Sequence, residues 1–468
     1  MIRNIVSVEE ENGVLMARLL LAQVLVPPSA RTRRPLGCTP SALPTLDSPA
    51  NVQQYGRNLR DALAQNPGIQ AVLQGLFQTP PGQPRTIYFQ IASPTGEQIR
   101  WEALCDANDA FIALDGSYRV GRIADDGVAN ALTIADFVPP LRIAAFLAAA
   151  DRDATPEWRA ITRAVARARQ GGFAVDVRAF VGQQALLDHA SAEVARGDAP
   201  GMQVQPLPQT SLLVEQAIAA WRPHVIHFFC HGSTAYGAED LHLATLADFD
   251  VGNTLGSVTI RIQDLINLPE FREAWLVVLN CCDGATVDDD RLSSMAYRLV
   301  ASAGLPAVVG MQQPVDVADA HAFSDAFYPA LLAHVDSILR NAPAAATTVD
   351  VDLCAALGPA RRNMQGRAGV AGPSLLSWTQ PVLYLHREQL RLARTRGAAA
   401  AAPAPAVPAF VDDAMRDRCA TIAKVLRGLP PSTPPDLRDA ILATLDEPPF
   451  VPPALRPDRN GSFPISPA

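Results

Sequence analysis

The sequence predicts an α/β protein: a mainly parallel β-sheet flanked by helices. Two observations carry this. Short, almost wholly apolar runs, as found in strands buried on both faces, alternate with longer stretches whose apolar residues recur every three or four positions. Hydrophobic residues make up 49% of the 468 against 18% charged, the balance of a packed globular chain.

Each element follows from its own pattern. Residues 13–26 alternate as a strand at a sheet edge, and 27–50, rich in Pro, Ser, Thr and Arg, read as a loop. From 52 to 77, Leu59, Leu63, Val72, Leu73 and Leu76 keep helical spacing, broken at Pro67-Gly68. A strand at 86–92, a helical turn at 99–104 and strands at 111–114 and 118–123 follow. The alternation then begins with a strand at 140–150 carrying Leu141, Ile143, Phe146 and Leu147. Helix 156–170 places Trp158, Ile161 and Val165 on one face, and 173–180 is a strand. Helices at 183–196 and 211–221 enclose a Pro-rich loop. Strands at 224–230 and 275–280, a helix at 291–302, a strand at 307–311, a helix at 318–333 and a last strand at 381–385 complete the set. An Ala/Pro linker at 398–408 precedes two short amphipathic helices, 410–426 and 435–445, with Gly428 just past the first; a Pro-rich tail ends the chain. The expected organisation is an N-terminal α+β subdomain at 1–135, a main domain at 136–396, the linker at 397–409 and a small helical appendage with a flexible tail at 410–468.

A net charge of −8 gives no reason to expect nucleic-acid binding. The seven cysteines are scattered and odd in number, unlike a secreted disulfide framework. Glu9-Glu10-Glu11 stand where a secretory leader would stay apolar. The run 14–26, interrupted by Arg18 and Gln23, is too short to span a bilayer. A soluble, cytoplasmic protein without a membrane span is the expectation.

The chemistry lies at the ends of two strands. Val225-Ile226-His227-Phe228-Phe229-Cys230-His231-Gly232 ends in a histidine and a glycine; Val277-Val278-Leu279-Asn280-Cys281-Cys282-Asp283-Gly284 ends in a cysteine pair and a glycine. Ligands of parallel sheets bind beyond the carboxyl ends of the strands, where both motifs deliver their reactive groups. A thiol is mostly protonated at neutral pH, so a nucleophilic cysteine needs a histidine to take its proton and later protonate the leaving amine. The tetrahedral intermediate needs N–H donors, and Gly232 N–H with Cys282 N–H form the natural pair.

Together with their surroundings these motifs resemble the CHAT family, caspase-like proteins of the caspase–separase clan. Upstream, Ile99-Arg100-Trp101-Glu102-Ala103-Leu104 is similar to the family's "(L/I)PWELL". Downstream, residues 303–315 (AGLPAVVGMQQPV) and 322–331 (AFSDAFYPAL) follow its order, so the likeness runs from about 86 to 386. The histidine and cysteine also lie about 50 positions apart, as in caspases. The resemblance implies a caspase-like fold, with His231 as general base, Cys282 as nucleophile, Gly232 and the Cys282 N–H as oxyanion hole, and no metal or organic cofactor. Arg100 stands in place of the family's proline.

Neighbours on a strand point to opposite faces, so Cys281 is expected to be a small buried residue beside a reactive Cys282. Cys230 is expected in the core and His227 to be structural. A zinc site from Cys230, His231, Cys281 and Cys282 lacks the usual ligand spacing. Relatives that cut after Arg or Lys commonly carry an aspartate two residues before the cysteine. Here that substrate-facing position holds neutral Asn280, leaving Asp283 or the acidic loop at 288–290 as candidate contacts. The resemblance further implies a regulatory endopeptidase that cuts a protein partner, such as a gasdermin-like pore-forming protein, in bacterial defence or regulated cell death. An upstream activator would act through the C-terminal helices. The alternative is a caspase-like scaffold that signals without cutting.

Overall fold

The computed structural model describes residues 3–46, 48–79, 84–124, 134–233, 239–253, 256–281, 294–313, 315–342, 347–367 and 377–394, with 422, 424–427, 429–430 and 433–443 beyond them. The chain divides into two compact units, Met1–Arg396 and Gly397–Ala468.

The first unit opens with a hairpin. β1 (Ile5–Glu11) and β2 (Val14–Leu21) are joined by Asn12-Gly13, both at positive φ (53° and 77°), the two-residue turn whose twist suits paired strands. A two-residue β3 (Arg34–Pro35) borders β2. The predicted helical stretch is two helices, α1 (Pro49–Ala64) and α2 (Pro67–Gln78), capped by Ser48 and Asn66. β4 (Arg85–Ala92), α3 (Pro94–Glu97) and β5 (Tyr118–Ala124) follow. Residues predicted as a strand at 111–114 form instead a 3-10 turn, Ile112–Leu114, held to its surroundings by one Cys105–Phe111 bridge.

Past a short β6 (Ala135–Phe137), the chain alternates as expected. Its elements are β7 (Leu141–Leu147), α4 (Thr155–Gln170), β8 (Val175–Val181), α5 (Gln184–Arg196), β9 (Met202–Pro206), α6 (Ser211–Trp221) and β10 (Val225–Phe229). β9 falls in the stretch read as a Pro-rich loop. Three further strands, β11 (His231–Ser233), β12 (Asp240–Leu243) and β13 (Val258–Arg261), form a small antiparallel sheet. Between and after them come α7 (Leu246–Asp250) and α8 (Ile262–Asn267). β14 (Leu276–Leu279), α9 (Met295–Ala303), β15 (Ala307–Met311) and α10 (Val317–Asn341) follow. β16 (Thr348–Val351), α11 (Leu357–Arg367), β17 (Pro381–His386) and β18 (Leu390–Arg394) end the unit. In the second unit, α12 (Pro435–Ala443) matches the second appendage helix.

The main sheet has the order β3-β2-β1-β4-β5-β17-β15-β14-β10-β7-β8-β9. Apart from the antiparallel β2 and β3 at one edge, it consists of two parallel blocks. β15, β14, β10, β7, β8 and β9 run one way; β1, β4, β5 and β17 run the other, and the blocks meet at the antiparallel β15–β17 pair. Strands from before residue 135 therefore share one sheet with those after it. On one face, Val225, Phe229, Leu276 and Val278 pack with Trp158, Ile161, Phe323 and Phe327 of α4 and α10. On the other, Ile226, Phe228, Val277 and Leu279 pack with Val214, Ile218, Leu265 and Leu299 of α6, α8 and α9. Helices on both faces explain why these strands are apolar at nearly every position.

The blocks are tied by a buried ionic cluster. Arg122 of β5 donates from Nη1 to Glu97 Oε2 (2.7 Å) and from Nη2 to Glu102 Oε2 (2.9 Å) and Gln312 Oε1 (3.1 Å). Arg100 Nη1 donates to the same Gln312 oxygen at 2.8 Å, and Tyr384 of β17 donates to Glu97. Arg100, in the place of the family's proline, is thus a bridge between the motifs at 99–104 and 303–315.

Candidate active site

From β7 the chain moves outward through α4 to β8, then returns through α6 to β10 on the other side of β7. The order of strands reverses between β7 and β10, where a doubly covered sheet opens a crevice at its carboxyl ends. The side chains just past those two ends meet. His231 Nε2 lies 2.8 Å from Asp151 Oδ1, across 80 positions of sequence; the side chains are 21% and 38% exposed. Arg152 Nε is 3.2 Å from the same Asp151 oxygen. A cavity of about 560 Å³ opens beside them, lined by Asp151, Arg152, Thr155, Gln183, Phe249 and Asp250.

In the neutral tautomer that donates Nε2–H to Asp151, Nδ1 carries a lone pair able to accept a proton. Gly232 follows on β11, where it pairs with Leu241 of β12. β14, the neighbour of β10, brings Cys281 to the same edge. The chain is described as far as Cys281; Cys282 and Asp283, with the acidic loop at 288–290, lie outside the described residues.

Cys281 is 2% exposed and belongs to the core on the α9 face, and Cys230 is buried in the same cluster. Asn280 is placed differently from a substrate contact. It is 2% exposed, and its Nδ2 donates to Ala320 O (3.2 Å), Ser324 Oγ (3.2 Å) and Glu157 Oε1 (3.3 Å). The amide is directed into the packing of β14 on α4 and α10, the face opposite Cys281. His227 is wholly buried on that face too, its Nε2 3.2 Å from Glu157 Oε2. Sequence reading missed Asp151 and Glu157. The signal for Asp151 was its place just beyond the apolar run ending Ala148-Ala149-Ala150, the end of a parallel strand.

The CHAT domain model matches residues 53–352. The chain belongs to the CHAT domain family. No curated protein matches the CHAT chain. Among solved structures it is similar to the Arg-specific cysteine proteinase gingipain R, with 9% identity and a TM-score of 0.39, covering 74% of this chain and 69% of that one. Among the described residues of this CHAT protein, no helix is long and apolar enough to cross a membrane.

Proposed function

We propose that this CHAT protein is a cysteine endopeptidase in which His231 activates Cys282 and Asp151 orients His231. The observation that supports it most is the 2.8 Å contact between His231 and Asp151, at the crevice where the cysteine strand also ends. The Cys282 thiol gives its proton to His231 Nδ1 and its sulfur attacks the scissile carbonyl carbon. The carbonyl π pair moves to oxygen, where the N–H groups of Gly232 and Cys282 receive the charge. As the tetrahedral adduct collapses, the C–N bond breaks and imidazolium protonates the departing amine, leaving a thioester. His231 then takes a proton from water, whose oxygen attacks the acyl carbon. Release of the carboxylate product restores the thiol.

The substrate is a particular protein partner rather than bulk peptide. On the strength of the family resemblance alone, the role is bacterial defence or regulated cell death, with a gasdermin-like pore-forming protein as the partner and cytoplasm as the setting. Residues 410–468 are the place for an activating partner to act. Asp283 is the acidic residue nearest the nucleophile in sequence and the candidate contact for the substrate flank. The test is labelling with an electrophilic peptide followed by mapping of the modified thiol. Modification at Cys282, blocked in His231→Ala, is the expected result. A protein in which no thiol is labelled, with or without cell extract as a source of activator, is a scaffold instead.

A further inference from the structure

Glu157 stands in the first turn of α4, on the side facing the sheet, and is completely buried. Its two oxygens go to two different strands. Oε1 accepts from Asn280 Nδ2 at 3.3 Å, two residues before Cys282 on the chain leaving β14. Oε2 lies 3.2 Å from Nε2 of His227 in β10, four residues before His231. One carboxylate therefore touches both strands that end at the dyad. Ser324 and the Ala320 carbonyl of α10 hold the same Asn280 amide, so the cysteine strand is anchored to two helices at once.

Cohesion does not require this arrangement. β10 and β14 already pair over Val225–Phe228 and Leu276–Leu279, with apolar side chains packed on both faces. A buried carboxylate, moreover, is a costly way to join two strands, because desolvation offsets most of the attraction and apolar side chains of similar size hold as well or better. The cost here is not fully recovered: the 3.2 Å approach is off the line of a ring N–H, and among the described residues Glu157 Oε2, His227 Nδ1, His227 Nε2, Asn280 Oδ1 and Tyr328 Oη have no hydrogen-bond partner. What a polar clamp adds over apolar contact is direction. The hydrogen bond from Asn280 fixes the roll and height of the cysteine strand end against α4, the 3.2 Å contact seats the histidine strand on the same carboxylate, and catalytic rates are sensitive to misplacements of about 1 Å.

We propose that Glu157 is a positioning residue, a carboxylate that sets the histidine strand and the cysteine strand against a common helix so that His231 and Cys282 meet in register. This rests on the proteolytic reading above. The experiment measures the rate at which iodoacetamide alkylates Cys282 in the full chain, with His231→Ala as the zero of assistance, alongside kcat and KM on any peptide the protein cuts. Glu157→Leu roughly matches the volume without the carboxylate's polar contacts, and Glu157→Gln keeps an acceptor for Asn280. The expected result is that Glu157→Leu melts within a few degrees of wild type yet loses about ten- to hundredfold in kcat and most of the assisted alkylation, with KM little changed. Glu157→Gln recovers kcat to within about threefold. If Glu157→Leu alkylates and turns over like wild type, or if both variants lose rate only in step with stability, the inference is overturned while the dyad stands. If wild type alkylates no faster than His231→Ala, the proteolytic reading fails, and this role for Glu157 fails with it.

Discussion

His231 and Asp151 meet because two strand ends meet, and the pair is half open to solvent. In a serine-protease triad the change of the orienting aspartate to asparagine costs about 10⁴ in kcat through the wrong histidine tautomer. At this more exposed pair, Asp151→Asn is expected to lower kcat by about ten- to hundredfold with KM little changed, measured on a peptide substrate. At the opposite end of β10, His224 stacks on Trp275 and its Nδ1 accepts from the Arg142 backbone N–H. Burial, and then the nearby Arg142 charge, push this histidine down from 6.5 to about 3. The unfolded chain binds its proton near pH 6.5 and the folded one only near 3, so the stability present above pH 6.5 is lost as pH falls through that window. The whole effect is roughly 5 kcal/mol at most. A plot of melting temperature against pH should show this acid limb, and His224→Gln should flatten it. At this scale the sequence disclosed what ends a strand but not what faces it. His231 and Cys282 stand out as reactive groups closing apolar runs, whereas Asp151 depends on β7 lying beside β10. Asn280 was misread because its position in the motif says nothing about Glu157, a residue more than a hundred positions away on another element.

Elements were legible in proportion to their burial. β7, β8, β10, β14 and β15, apolar at nearly every position, lie within a few residues of their expected bounds, as does α4, whereas α10 runs on to Asn341, well past its expected end at 333. Most of the elements missed were short or at edges, where one side meets water and the apolar pattern fades; β1, an inner strand, and α11 are the exceptions. β1 ends in three glutamates, β9 alternates with glutamines, and β11 to β13 form three- and four-residue pieces. Asn12-Gly13 was the available sign of the first hairpin. The buried contacts between elements were equally hidden, although one of them explains a motif. Glu102 of the 99–104 motif exists to meet Arg122, and Trp101 stacks on Phe89 at 4.5 Å. Arg122→Ala leaves Glu97 and Glu102 buried without their cation and is expected to cost about 3–5 kcal/mol, read from urea unfolding.

Across the whole molecule, the sheet joins what the sequence divided at residue 135. β5 lies between β4 and β17, so the strands before 135 cover an edge that the later strands would otherwise expose. A chain beginning at residue 136 is expected to aggregate on expression. A chain ending at Arg396 keeps the whole first unit. It is expected to unfold in one cooperative transition and to keep its thiol reactivity; loss of solubility on that truncation would show that the two units depend on each other. The account turns on one thiol of an adjacent pair. The most direct measurement compares Cys282→Ala with Cys281→Ala in cleavage of a protein partner or peptide library. The prediction is that Cys282→Ala abolishes cleavage while Cys281→Ala, buried in the core on the α9 face, keeps it. Cleavage lost in Cys281→Ala and kept in Cys282→Ala would contradict the account.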